Sequence, residues 1–73
     1  MVKPGELAVL TELPPGLLHG LPMQDQNAIR EIVGKPILLE SFDPDGRAEL
    51  TFIDADEVIH SIFVSLEFVR PAK

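Results

Sequence analysis

The sequence contains no cysteine, no tryptophan and no tyrosine, and each absence excludes a class of site. Without cysteine the chain has no disulfide, no thiolate zinc site and no cysteine nucleophile. Its only aromatic residues are Phe42, Phe52, Phe63 and Phe68, all at positions where we expect a core, so it lacks the clustered rings of a methyl-lysine cage. Because small secreted domains usually depend on disulfides, the missing cysteines favour a cytoplasmic location.

Basic residues are also scarce, with 6 lysines and arginines against 12 aspartates and glutamates and a formal net charge of −6. The acidic excess falls within residues 36–57, where Arg47 is the only basic residue. Phosphate backbones and anionic membranes are bound by clustered lysine and arginine. The charge pattern therefore predicts no nucleic-acid partner and no membrane partner, and it leaves open an acidic face for a basic protein.

No apolar run approaches the roughly 20 residues needed to span a bilayer, and no basic-then-apolar signal segment opens the sequence. At 73 residues the chain has room for one domain, which we expect to cover residues 1–73. A domain of this size buries a thin core. Self-association is one way to bury more apolar surface, so a homodimer is a reasonable expectation.

One segment, at about residues 22–33, has the pattern of an amphipathic helix. Pro22 suits the first turn, and Asp25 is an acid close to the positive end of the helix dipole. Gly34 can end the helix with a positive φ, and Pro36 prevents its continuation. The apolar stripe that predicts docking against a core consists of Ala28, Ile29, Ile32 and Val33.

The remainder predicts short strands, with a first strand at residues 7–10 and a meander at about residues 36–70. Asp43-Pro44-Asp45-Gly46 is the strongest turn signal, because proline fixes the second turn position and glycine accepts positive φ. Residues 47–53 alternate between apolar and polar, as in a strand with one buried face. Residues 58–64 are apolar on both faces, which predicts a central or well-covered strand.

The two ends of this pattern resemble the small SH3-like barrels. Ile62-Phe63-Val64-Ser65-Leu66-Glu67-Phe68-Val69 resembles their ending, in which an apolar strand meets a 3₁₀ turn and a short last strand. Lys3-Pro4-Gly5-Glu6, followed by residues 7–10, resembles their opening. The resemblance implies a mainly β fold, a five-stranded SH3-like barrel with one short helix inserted between the first and second strands.

A second resemblance, to short uncharacterised bacterial proteins, implies no activity. The chain lacks the tyrosine and tryptophan shelf of SH3 domains that bind proline-rich ligands, and the basic surface of ribosomal members. Fold similarity therefore carries no ligand class to this chain. The residues of the bacterial resemblance are Leu21-Pro22, Asp25-Gln26, Ile29, Val33-Gly34-Lys35-Pro36, Gly46, Glu49-Leu50 and His60.

His60 is the one residue that could act as a base or a metal ligand. A base needs an adjacent nucleophile, and Ser61 faces the opposite side of a strand from its neighbour His60. Ser41 could reach His60 from another strand. We therefore predict no catalytic site and no cofactor, and we keep as an alternative a small-ligand or divalent-metal site built from His60 and nearby acids.

The predicted function is that of a non-enzymatic protein–protein interaction module, either a homodimer or an accessory partner of a larger protein. Acidic residues at the two predicted turns, residues 43–46 and 54–57, form a candidate contact surface. No metal is predicted there, because successive turns of a meander lie at opposite ends of the sheet. Leu38 and Leu66 are the apolar residues least expected to be fully buried. The candidate interaction residues are Leu38, Asp43, Asp45, Asp54, Asp56, Glu57 and Leu66.

Overall fold

The structure, a computed structural model, describes residues 2–72 and contains five strands and one α-helix. The strands form a single antiparallel sheet, as the mainly β pattern predicted. No helix among the described residues combines the length and apolar character needed to cross a bilayer. In chain order the elements are β1 (Leu7–Leu10), α1 (Met23–Ile32), β2 (Pro36–Phe42), β3 (Ala48–Ile53), β4 (Ile59–Val64), a 3₁₀ turn (Leu66–Phe68) and β5 (Val69–Pro71).

The strand order across the sheet is β4-β3-β2-β1-β5, so β4 and β5 lie at opposite edges. The ladder between β2 and β3 shifts register between Leu39 and Ser41, and such a bulge bends the sheet. Within residues 2–72 no ladder joins β4 to β5. The sheet is therefore open, and the closed barrel of the sequence prediction is not confirmed.

One face of the sheet carries the core, and we call it the inner face. On β3 the inner face is formed by Ala48, Leu50 and Phe52, as the alternation in the sequence predicted. The helix covers this face with Ala28, Ile29 and Ile32. The leucine-rich segment before the helix packs against the same cluster through Leu13, Leu17, Leu18 and Leu21.

Hydrogen bonds hold both ends of α1 in place. Pro22 precedes the first helical residue, and the side chain of Gln26 donates a hydrogen bond to the carbonyl of Leu21 at 2.9 Å. Beyond the helix, Gly34 has φ of 83° and its N–H donates to the carbonyl of Leu10 at 3.0 Å. The helix end is thereby joined to β1, which supports a ten-residue helix too short to be stable alone.

Two sequence predictions differ from the structure. Residues 58–64 were expected to form a central or well-covered strand, and β4 is an edge strand with one exposed face. Phe42 of β2 and Phe63 of β4 were expected in the core, and both are exposed. Apolar residues on both faces of a strand are typical of burial, but here one set faces the core and the other faces solvent.

Candidate functional site

Two hairpin loops of the same construction flank β3. In the loop at residues 54–58, the N–H of Asp54 donates to the carbonyl of Val58, and the N–H of Glu57 donates to the carbonyl of Asp54. Oδ1 of Asp54 accepts the N–H groups of Asp56 and Val58 at 2.8 and 3.0 Å. This is a type I turn followed by a residue with positive φ, here Glu57 at 63°. Asp54 therefore stabilises the loop through both its backbone and its side chain.

His60 is held by the other oxygen of the same aspartate. Its Nε2 lies 2.7 Å from Oδ2 of Asp54, and since an ionised carboxylate has no proton to give, Nε2–H is the donor. The imidazole also stacks on the neighbouring strand's Phe52, with ring centroids 5.2 Å apart and planes at 18°. The side chains of His60 and Asp54 are only 9% and 8% exposed. The pair is a nearly buried connection between the loop and β4.

This hydrogen bond also perturbs the carboxyl group. The hydrogen bond with His60 is the largest cause that lowers the pKa of Asp54 below its ordinary value, followed by the N–H of Val58. Desolvation acts in the opposite direction and is outweighed. Asp54 is therefore ionised at neutral pH and suited to accept hydrogen bonds rather than to donate a proton.

A second carboxylate approaches the other ring nitrogen of His60. Oδ1 of Asp25, in the first turn of α1, lies 3.8 Å from Nδ1. His60 and two acids thus converge, as the alternative hypothesis required, but the acids lie at different nitrogens of one ring and cannot share an ion with it. Within residues 2–72 no group of three histidine, cysteine or acidic side chains could hold a metal ion.

A pocket of about 330 Å³ lies beside His60. Asp25 and Arg47 contribute charges to its wall, and Leu17, Leu21 and Ile29 contribute apolar surface. The pocket combines apolar walls with a few polar groups, which is typical of small-ligand sites. Its volume is at the lower end of the range for such sites, so any ligand would be small.

The face of the sheet opposite the core carries large apolar side chains in solvent. Ile59 and Phe63 of β4 are 68% and 43% exposed, and Ile53 of β3 is 63% exposed. Ile53 pairs directly with Ile59 across the two strands. Ser61 lies between the two apolar residues of β4, and its Oγ is 3.3 Å from Oγ1 of Thr51. We call Ile53, Ile59, Ser61 and Phe63 the outer patch.

The structure distributes the sequence-predicted interaction residues over several places. Asp43 and Asp54 are loop-building residues whose carboxylates are occupied by hydrogen bonds. Leu38 is half-buried on β2 and pairs with Thr51, beside the outer patch. Four others are exposed: Asp45, Asp56 and Glu57 in the two loops, and Leu66 in the 3₁₀ turn.

Sequence reasoning missed Ile53, Ile59 and Phe63 as candidate contact residues. The signal was present, because residues 58–64 are apolar on both faces while only one face of an edge strand meets the core. A strand with apolar residues on both faces can be a central strand that is covered on each side. It can also be an edge strand with one apolar face exposed to solvent. Strand order decides between the two, and strand order depends on contacts distant in sequence.

Comparisons with known proteins found no matching family model, no similar curated protein and no similar solved structure.

Proposed function

We propose that the protein is a non-enzymatic protein–protein interaction module, working as a homodimer or as an accessory partner of a larger protein, and that the outer patch makes the contact. The single observation behind this proposal is the exposure of Ile53, Ile59 and Phe63 on adjacent strands. Contiguous apolar residues exposed on a protein surface are typical of interaction sites. Aromatic residues such as Phe63 are enriched in the central parts of interfaces.

The order of elements also supports a barrel-like curvature of the SH3-like kind. A 3₁₀ turn joins β4 to β5, and β5 pairs with β1 and thereby connects the two ends of the chain. In this arrangement the helix and the leucine-rich segment cover the inner face. The outer patch lies on the opposite face, where its apolar side chains are open to a partner.

The test is capture of partners by tagged protein and by two charge variants. Ile59→Asp places a charge in the outer patch, and Met23→Asp places the same charge at a matched position on α1, 63% exposed. Quantitative mass spectrometry would compare what each variant retains. We expect a protein, or a second copy of this chain, to be retained by wild type and by Met23→Asp and to be lost by at least about tenfold with Ile59→Asp.

Folding of both variants would be checked by circular dichroism, because an unfolded variant loses every partner. Equal retention of all proteins by the folded Ile59→Asp variant would contradict the role of the outer patch. Loss with Met23→Asp alone would place the contact on the helix instead.

A second candidate function is a small-ligand site at His60, favoured by the pocket between β4 and α1. A ligand that binds the folded state raises the melting temperature. Screening small organic acids and divalent ions by thermal shift tests this, with His60→Gln as the control that should abolish the shift. An unchanged melting temperature across the panel would count against the site.

A further inference from the structure

The two edges of the sheet are protected differently against pairing with another strand. β5 has only three residues and contains Arg70 and Pro71, and short length, charge and proline are devices that block edge pairing. β4 has six residues, Ile59–Val64, with no proline and no lysine, arginine, aspartate or glutamate. By these criteria β4 is an open edge.

The hairpin fixes which backbone groups of β4 face outward. In an antiparallel ladder, hydrogen-bonded residue pairs alternate with pairs that are not hydrogen-bonded. The bond from the N–H of Asp54 to the carbonyl of Val58 makes these two residues a bonded pair, and this fixes which of the following pairs between β3 and β4 are bonded. The pairs of His60 with Phe52 and of Ile62 with Leu50 are then the bonded ones. The N–H and C=O groups of Ile59, Ser61 and Phe63 consequently point away from β3, toward the free edge.

Resting on the proposed function, we infer that the partner at this edge is a second copy of the chain, paired β4 to β4 in antiparallel orientation about a two-fold axis at Ser61. The outward groups lie symmetrically about Ser61, at two residues before it and two after it. An antiparallel pair centred there joins Ser61 to Ser61 of the second copy and Ile59 to its Phe63. All three outward positions thus obtain backbone partners in one register.

The same register brings the apolar side chains of the two outer patches together across the joined edges. Ile59 would lie directly opposite Phe63 of the second copy, where cross-strand aromatic and β-branched pairs stabilise a sheet. Ile53 packs beside Ile59 within its own hairpin and supports that residue from β3, one strand further from the axis. The two-fold axis repeats this cluster once on each side of Ser61, as an isologous interface requires.

Local charge complementarity also favours this arrangement, against the net charge of −6 on each copy. Antiparallel pairing brings the acidic loop of one copy, with Asp56 and Glu57, toward the end of β4 where Arg47 of the other copy covers the ring of Phe63 at 5.6 Å. Arg47 uses Nε to bind Asp43, and its two terminal nitrogens make no hydrogen bond within residues 2–72. They are available to the carboxylates of the second copy. The symmetry of the outward groups about Ser61 is what favours a second copy over an acidic peptide, which could reach Arg47 equally well.

Light scattering over a dilution series, from about 1 to about 500 µM, would measure self-association of wild type and three variants. Ser61→Pro removes an outward N–H without removing a bond to β3, and Ser61→Lys opposes two like charges at the axis. Ser61→Ala is the matched control, because it removes the hydroxyl and keeps the N–H. We expect a dimer for wild type and Ser61→Ala, and association at least about tenfold weaker for the other two.

A monomeric wild type over the whole range, or a dimer unaffected by both Ser61→Pro and Ser61→Lys, would overturn this inference. If the wild type is monomeric and Ile59→Asp still loses a different captured protein, the outer patch binds another partner and the proposed function stands. If the wild type is monomeric and no protein depends on the outer patch, both fail. The two failures are therefore distinguishable.

Discussion

The two hairpin loops on either side of β3 have the same backbone and different surroundings. In each, an aspartate N–H bonds to the residue four positions later, and Oδ1 of the aspartate accepts two N–H groups of the loop. The position with positive φ is Gly46 in the first loop, at 81°, and Glu57 in the second, at 63°. The same turn is thus made once with a residue suited to it and once with a residue that resists it.

The remaining carboxylate oxygen shows a second difference. Oδ2 of Asp43 binds Arg47, whose side chain is 51% exposed, whereas Oδ2 of Asp54 binds the nearly buried His60. The hydrogen bonds of the first loop all lie within its own five residues. The second is connected to the core through an imidazole stacked on Phe52. The backbone hydrogen bonds of each loop form within the loop itself. How much each loop contributes to the stability of the fold depends on which side chain binds Oδ2 of its aspartate.

The largest expected effect is a contrast between the two partners of the aspartates. His60→Ala should lower the free energy of unfolding by about 2–3 kcal/mol, because it removes a packed ring and leaves a nearly buried carboxylate oxygen unpaired. Arg47→Ala should cost no more than about 1 kcal/mol, because the Arg47 side chain is 51% exposed and water can take its place beside Asp43, whose own side chain is 9% exposed. Urea unfolding at neutral pH measures both.

His60→Gln is the control that keeps a donor near Asp54 and should lie between wild type and His60→Ala. Equal losses for His60→Ala and Arg47→Ala would mean that burial does not separate the two loops. Both measurements should be made at one protein concentration, because a dimer would stabilise the folded state.

The next effect is an exchange at the positive-φ position. Gly46→Glu should destabilise the protein by about 1–2 kcal/mol, since a side chain is unfavourable in this conformation and an added Cβ meets no atom within 4 Å. Glu57→Gly should stabilise it by about 0.5–1 kcal/mol, the gain being reduced by the greater freedom of glycine in the unfolded chain. Thermal unfolding would resolve both changes.

The matched control is Asp56→Gly, one residue before Glu57 and without a positive φ. Asp56→Gly should be neutral or destabilising, because it increases the conformational entropy of the unfolded chain and relieves no strain in the folded one. A stabilising Asp56→Gly, or a Glu57→Gly without gain, would show that backbone strain at Glu57 does not limit this loop.

The first loop and the helix could be predicted because their signals are local. Asp43-Pro44-Asp45-Gly46 contains both the residue that fixes the turn and the glycine that accepts positive φ. The stripe from Ala28 to Ile32 and the stop at Gly34 likewise lie within a few residues of each other, and the helix formed at Met23–Ile32 within the predicted range. Such patterns depend little on the rest of the chain.

The second loop and the outer patch show where the sequence was insufficient. Residues 54–57 were identified as a turn, but the bond from Asp54 to His60 depends on the hairpin register and on burial beneath α1. The exposure of Ile59 and Phe63 depends on β4 lying at the sheet edge, which is set by pairings between distant segments. Neither fact is decided within a short stretch of residues, because the apolar pattern of residues 58–64 fits both a central strand and an edge strand.

The smallest expected effect is a difference in acid sensitivity between the two loops. Burial raises the pKa of Asp43, but the hydrogen bonds and charge of Arg47 and the N–H of Asp45 outweigh it, so both Asp43 and Asp54 have a pKa below the ordinary 3.8. A carboxyl whose pKa is lowered by folding stabilises the folded state above its unfolded pKa. That stability is lost as the pH falls below about 3.8 and through the lower folded pKa.

Replacing each aspartate with asparagine keeps an oxygen for the loop N–H groups and removes the titration. We expect wild type to lose stability between about pH 5 and about pH 2, and Asp43→Asn and Asp54→Asn each to lose less over the same interval. The comparison is the slope of unfolding free energy against pH, measured in urea, so a constant loss from the substitution itself does not enter. Desolvation opposes the pKa shift at both carboxyls, but it is the largest single influence at Asp43, whereas the hydrogen bond with His60 is the largest at Asp54; His60→Gln should therefore remove more of the acid sensitivity than Arg47→Gln removes from the first loop. Equal slopes for all five proteins would mean that neither carboxylate has a different pKa in the folded and unfolded chain, and that the two loops differ in packing alone.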